Sequence, residues 1–266
     1  MKNFVTRSIT AIIGIILLYF IIVNGGIYLS LALLFLSLVG IYEIKNCFKN
    51  INISINAYLL YIFTIILFLI RSVESLSVLK NFEYLFIFII MLISFVLDLD
   101  INRNMDDSVY TVFSYIYIPV IFDLLYKMDK MHLVLVFIMA FATDTFAYLV
   151  GVTMGKHKLI PSISPKKSVE GAIGGILGAV ILGSLWIKFN SINLDILTII
   201  FLVFTSISSQ LGDLIASKIK RVSGIKDYGN IFPGHGGVLD RFDSILNVTV
   251  IIFLFSKVME VLWLQF

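Results

Sequence analysis

Residues 131–151 read MHLVLVFIMAFATDTFAYLVG, a stretch whose only carboxylate is Asp144. About 20 such residues in a helix cross the hydrocarbon of a bilayer, and eight further apolar runs repeat the pattern: 9–23, 27–42, 57–70, 83–97, 109–126, 169–187, 194–216 and 243–264. The reading is an all-α integral membrane protein, a polytopic bundle of about nine transmembrane helices with a polar funnel facing the cytoplasm. We expect one membrane domain over 1–266, with N-terminal spans in 1–130 and the spans and loops that carry most of the polar residues in 131–266. The first run follows Lys2 and Arg7 like a signal peptide, but no A-x-A-like site follows Phe20, so it is read as a helix.

Composition agrees. The 266 residues are 59% hydrophobic and 14% charged, with a mean hydropathy of +1.02, against roughly 25% charged residues in soluble domains. A net charge of +3 on so apolar a chain gives no nucleic-acid footprint, and no nucleic-acid partner is expected. The single cysteine, Cys47, excludes an internal disulfide or a multi-cysteine cage. His132, His157 and His235 are scattered, so any metal is expected to be a hard cation on carboxylates. With the N-terminus inside, 14 of the 20 lysines and arginines fall in cytoplasmic segments. The positive-inside rule then puts the two most basic loops, 152–168 and 217–242, in the cytoplasm. Asp98, Asp100, Asp106 and Asp107, with Arg103, read as a solvated connection.

Ionisable groups inside a span cost about 2.5 kcal/mol or more on insertion scales, so they usually face the bundle interior. Asp144 is one, with Tyr148 a turn later; an interhelical hydrogen bond or a buried lysine partner is the structural alternative. Ser206, Ser209, Gln210, Asp213 and Ser217 form one helical stripe, and Asp240, Asp243, Ser244 and Asn247 form another. Carboxylates converging from these helices would repel one another unless a cation sat among them. The overlapping G-x-x-x-G frames of Gly171, Gly174, Gly175 and Gly178 read as close helix packing.

Loop 217–242 combines Lys218, Lys220, Arg221, Lys226 and Arg241 with Gly229, Gly234, Gly236 and Gly237 and with aspartates at its margins. Flexible backbone N–H groups and cationic donors suit a phosphate ligand. A surface loop meeting anionic lipid headgroups is the alternative, although such a patch has no use for Asp213, Asp227, Asp240 and Asp243. In the other loop Gly151, Gly155 and Lys156 have the wrong spacing for a P-loop.

The run from Ser217 to Asp243, S-K-I-K-R-x4-K-D-x-G-x2-F-P-G-H-G-G-V-x-D-R-F-D, resembles the signature of the phosphatidate cytidylyltransferase (CDP-diacylglycerol synthase) family. G-D-L at 212–214, D-T-F-A-Y at 144–148, GKHKL and S-P-K-K-S-V-E-G-A-I-G-G at 164–175 are similar to the same family, with Ser168 where Thr is more usual. The specific motifs cover about 140–247; the first 130 residues agree only as generic spans. The resemblance implies a multi-pass enzyme of a bacterial-type plasma membrane, its active site facing the cytoplasm. It would convert CTP and phosphatidate to CDP-diacylglycerol and pyrophosphate for phospholipid biosynthesis, with Mg2+ and room for a second cation.

On that resemblance Asp213 and Asp240 are expected at the metal centre, with Asp144 and Asp243 as further or supporting ligands. Lys166, Lys167, Lys226 and Arg241 would hold the triphosphate, and Lys218 or Arg221 the lipid headgroup. Ser164, Asp227, Gly236 and Gly237 join the substrate-binding set, and His235 is a phosphate donor or a structural turn residue. A CTP-using lipid kinase, or a cytidylyltransferase for another anionic lipid, would share the site; a kinase releases CDP where a cytidylyltransferase releases pyrophosphate. An ion-coupled transporter is the remote alternative, but the chain lacks the expected internal repeat. A homodimer is compatible with the chain, which does not fix an oligomeric state.

Overall fold

A computed structural model describes residues 2–73, 83–99 and 104–263. Asp100 and Arg103 of the acidic connection lie outside the described residues. The helices are α1 (Lys2–Asn24), α2 (Gly26–Lys49), α3 (Ala57–Ser72), α4 (Glu83–Leu97), α5 (Met105–Tyr115), α6 (Ile121–Lys127), α7 (Lys130–Met154), α8 (Val169–Phe189), α9 (Ile196–Val222) and α10 (Leu239–Trp263). A five-residue π segment, Ile116–Val120, joins α5 to α6. Pro119 sits within it and has no N–H to donate, so the hydrogen-bond register widens there and the span continues.

Among the described residues six helical stretches are long and apolar enough to cross a membrane: Gly26–Lys49, Met105–Lys127, Lys130–Met154, Val169–Phe189, Ile196–Val222 and Leu239–Glu260. Three apolar helices are shorter, Ser8–Asn24, Ala57–Ser72 and Tyr84–Leu97. The protein is a helical, multi-pass membrane protein.

The chain forms two compact units: residues 1–127 with 222–241, and residues 128–221 with 242–266. In the first unit α2 and α3 are tied by Ser30 Oγ, which lies 2.7 Å from Ser72 Oγ and donates to Phe68 O. Arg71 meets Asp123 through Nε at 2.7 Å and Nη2 at 2.8 Å, both residues buried, and Lys127 Nζ lies 3.1 Å from the same carboxylate. Desolvating these charges is tolerable only because they are paired and hydrogen-bonded. The acidic connection is partly helical: Asp106 and Asp107 open α5, Asp107 accepts from Ser54 N, and Asp98 accepts from Ser108 N.

In the second unit α7 and α8 pack through the glycines expected to do so. A Cβ on Gly178 would strike the Phe146 ring, on Gly174 the Val150 side chain, and on Gly175 the Thr143 carbonyl at 2.9 Å. Side-chain caps set the helix starts: Asp129 accepts from His132 N at α7, Ser168 from Gly171 N at α8, and Asp195 from Thr198 N at α9.

Three corrections to the sequence reading follow. Segment 152–168 holds a two-stranded antiparallel hairpin, β1 (Lys158–Ile160) and β2 (Ser164–Ser168), within an otherwise helical fold. Helix α9 runs to Val222, so Lys218, Lys220 and Arg221 are helical rather than loop residues. Helix α10 begins at Leu239, so Arg241 lies in its first turn rather than in the loop, while Asp240 stands on the helical stripe expected of it. Lysine and arginine are good helix formers, and the basic composition of 217–221 does not itself end a helix.

Candidate active site

The second unit contains a cavity of about 440 Å³. Asp144 and Tyr148 reach it from one face of α7, Gln210 and Asp213 from α9, and Lys158, Lys166 and Lys167 from the hairpin. Its charged lining is therefore three lysines and two aspartates. Close approach of α7 and α8 builds the back wall: a Cβ on Gly171 would stand 2.7 Å from Ala147 O. The hairpin is tied to the start of α8 by Glu170, whose carboxylate accepts from Lys156 N and His157 N and lies 2.6 Å from His157 Nδ1.

The principal contact across the cavity is an ion pair, Lys167 Nζ to Asp213 Oδ2 at 2.6 Å, with side chains 27% and 28% exposed. Ser217, one turn on, donates to Asp213 Oδ1 at 3.3 Å. Asp144 Oδ2 accepts from Ser244 Oγ of α10 at 3.3 Å. Asp243 accepts from Ser244 N and lies within electrostatic reach of Asp213, Asp144 and Lys220. The α9 stripe is mostly satisfied inside the protein: Ser206 Oγ meets Thr143 Oγ1 at 2.9 Å, and Gln210 donates to Ala172 O. Ser209 Oγ is buried with no hydrogen-bond partner.

Among the described residues no three His, Cys, Asp or Glu side chains gather closely enough to form a protein-only metal cage. Mg2+ does not require one, because it usually takes one or two carboxylates and completes its shell with water and substrate phosphates. Asp144 and Asp213, both on the cavity wall, fit that mode.

The remaining candidates belong to the first unit. Residues 223–238 form a turn-rich loop closed by Phe232 N to Gly236 O and His235 N to Phe232 O, with Gly234 at φ 76° and Gly236 at φ 85°. Asp240 is 6% exposed, and its Oδ2 accepts from Tyr228 N at 2.7 Å and Gly237 N at 3.0 Å. In this unit Asp240 holds the loop against the start of α10. His235 is half-buried, and among the described residues its enclosed Nδ1 has no hydrogen-bond partner. Lys226, Asp227 and Arg241 are exposed.

Of the expected residues the second unit brings Asp144, Lys166, Lys167 and Asp213 onto one cavity; Ser164, Lys218, Arg221 and Asp243 lie in that unit but do not line it. Lys226, Asp227, His235, Gly236, Gly237, Asp240 and Arg241 lie in the first. Among the polar cavity residues, Tyr148, Lys158, Ser168 and Gln210 were not assigned to the site from sequence. Lys158 was visible only as part of the basic run GKHKL, and Gln210 only as a member of the α9 stripe. Glu43 was also missed: it is 2% exposed and accepts from Val238 N and Leu239 N. Its one signal was a lone carboxylate at the end of an apolar run.

A bundle of apolar helices with a lysine and aspartate cavity, and a basic glycine loop on the same chain, matches a known class. A sequence model described as the Cytidylyltransferase family covers residues 5–259, and the chain belongs to that family. Among curated relatives, phosphatidate cytidylyltransferase of Staphylococcus haemolyticus (strain JCSC1435) is 36% identical over 248 residues, covering 91% of this chain and 95% of that protein. The proteins of the same name from Staphylococcus saprophyticus subsp. saprophyticus (strain ATCC 15305) and Staphylococcus aureus (strain COL) are each 34% identical with the same coverage.

Proposed function

We propose that this chain transfers CMP from CTP to phosphatidate, giving CDP-diacylglycerol and pyrophosphate. The observation that carries the reading is the cavity whose wall pairs Lys167 with Asp213 and adds Lys158, Lys166 and Asp144, in a chain of the Cytidylyltransferase family. A phosphate monoester has a second pKa near 6, so the lipid phosphate is already an anionic nucleophile at neutral pH and needs no serine or cysteine. One of its oxygens bonds to the α-phosphorus of CTP as the bond from that phosphorus to the β-bridging oxygen breaks. The departing electron pair leaves on pyrophosphate.

The protein's work is then positioning and charge neutralisation. Lys158, Lys166 and Lys167 offer ammonium donors to the triphosphate and the leaving pyrophosphate. Lys226, Arg241 and His235 are proposed as further phosphate donors, Lys218 and Arg221 as contacts to the lipid headgroup. Asp144 and Asp213 would hold Mg2+, with Asp243 in support. Asp240 is proposed as a cation ligand in addition to its bonds within the loop. Mg2+, when bound, supplies charge neutralisation at phosphate oxygens; a second cation and a homodimer are further proposals. Because CTP is soluble and phosphatidate stays in its leaflet, we place the cavity as a funnel opening toward the cytoplasm from a plasma membrane.

The test uses purified protein in detergent micelles with phosphatidate, Mg2+ and CTP labelled at the α-phosphate. Label in a chloroform-soluble product with release of pyrophosphate supports the reading. Accumulation of CDP without labelled lipid would instead define a kinase, and untouched CTP from well-folded protein would refute both. Omitting Mg2+, and separately Asp240→Asn, should abolish product; wild-type turnover in either arm would remove that part of the metal proposal.

A further inference from the structure

A carboxylate in the half of the chain that carries no motif holds the glycine loop from beneath. Glu43, near the end of α2, is 2% exposed. Its Oε1 accepts from Val238 N at 2.9 Å and its Oε2 from Leu239 N at 2.8 Å. Both donors belong to the start of α10, where backbone N–H groups have no helical partner and favour an anion. The same carboxylate presses on two glycines of the loop: a Cβ added to Gly229 would stand 2.6 Å from Oε1, and one added to Gly237 would overlap that oxygen. Asp240 holds the loop by a second pair of bonds, to Tyr228 N and Gly237 N. All of these groups belong to one unit.

We propose that Glu43 is a positioning residue for CTP use, acting by fixing the loop of residues 229–239 and not by touching substrate. A buried charge is retained at a cost unless its hydrogen bonds are made, and a helix start could be capped by a local serine or aspartate at far smaller cost. Here it is capped by a residue 195 positions away. That arrangement makes the loop's shape depend on α2, and the loop carries His235, Gly236 and Gly237 beside Lys226 and Arg241. The inference rests on the function proposed above.

The experiment compares wild type with Glu43→Gln, Gly229→Ala and the double variant, in micelles with Mg2+. It measures initial rates against CTP at saturating phosphatidate and against phosphatidate at saturating CTP, together with melting temperatures. Glu43→Gln keeps the shape but presents an amide N–H₂ to one of the two N–H donors. We expect KM for CTP to rise about tenfold, KM for phosphatidate to hold within twofold, and the double variant to be no worse than the poorer single one. Unchanged CTP dependence overturns the proposal. So does a loss that falls equally on every parameter together with the melting temperature, because that marks a merely structural residue. If Glu43→Gln cannot be purified, Gly229→Ala alone decides by the same criteria. If wild type makes no labelled lipid, the functional reading fails instead.

Discussion

Lys167 and Asp213 are both assigned to the proposed chemistry, yet because they are paired with each other their loss should, on that assignment, act in opposite directions on nucleotide binding. The cavity lining carries Lys158, Lys166 and Lys167 against Asp144 and Asp213, a net charge of +1. Lys167→Gln brings it to zero and Asp213→Asn raises it to +2. A hydrogen bond to a charged group is worth about 1.5–3 kcal/mol. Both partners are 27–28% exposed, so screening reduces the expected effect to about 1–2 kcal/mol. Lys167→Gln removes one donor to the triphosphate, and KM for CTP should rise about tenfold, since each 1.4 kcal/mol is a factor of ten. Asp213→Asn removes the carboxylate that competes for the same ammonium, and with Mg2+ saturating, so that Asp144 and the phosphates still hold the cation, KM for CTP should stay level or fall a few-fold. Its kcat should nonetheless drop by about a hundredfold or more, the scale of losing a preorganised electrostatic group. The assay is initial-rate transfer of α-phosphate label from CTP into chloroform-soluble lipid, at saturating phosphatidate and fixed Mg2+. If Asp213→Asn weakens CTP as much as Lys167→Gln does, the competition argument is wrong. If Asp213→Asn keeps its kcat, so is the cation assignment.

Three other outcomes follow from packing and capping. Gly178→Leu drives a side chain into the Phe146 ring and should destabilise the second unit by about 1–3 kcal/mol or more, read as a lower melting temperature in detergent. Ser168→Ala deletes the acceptor for Gly171 N and should cost about 1 kcal/mol, whereas Ser168→Thr should leave the melting temperature within error. Asp195, just before α9, is held below the usual carboxylate range by the Thr198 side chain and backbone N–H beside it, the N–H donating to Asp195 Oδ1 at 2.7 Å. Its folded pKa is the lowered one, so its stabilisation is present above the unfolded value near 3.9 and is lost as pH falls through the folded value. The melting-temperature difference between wild type and Asp195→Ala should therefore persist at pH 5–7 and shrink below about pH 4; a constant difference across that range would contradict the cap.

How much of this was legible in the sequence depends on the range of the interaction that carries it. Apolar runs define helices by local composition, so the helices and the glycine face of α8 could be read directly, although among the described residues six stretches, not nine, are long and apolar enough to cross a membrane. Asp144 and Asp213 stood out because a carboxylate in an apolar helix is costly, and Lys166 and Lys167 because they sit in a motif. The hairpin was not legible: three- and five-residue strands carry too few positions to show a period of two. The ends of α9 and α10 were obscured because their first and last turns are charged. Least legible were the buried carboxylates whose partners are distant in sequence. Glu43 meets backbone groups 195 residues away, and Asp123 meets a guanidinium 52 residues away. Nothing in the local sequence of α2 says that its carboxylate caps another helix.

On the proposed reading, charge balance asks for more than the cavity's own lining. A nucleoside triphosphate carries about four negative charges when its terminal phosphate, with a second pKa near 6, is ionised. The lining offers a net charge of +1, and one of its lysines is engaged by Asp213. Binding the triphosphate on that lining alone would leave most of its charge uncompensated. The two aspartates, unhelpful toward an anion by themselves, become useful if they bring in a divalent cation, which adds more positive charge than Lys167 releases. The five basic residues from Lys218 to Arg241 are the other concentration of positive charge in the chain's second half. A transporter or a lipid-anchoring patch would have no need of both together, whereas a reaction that must bind a polyphosphate and then release pyrophosphate does.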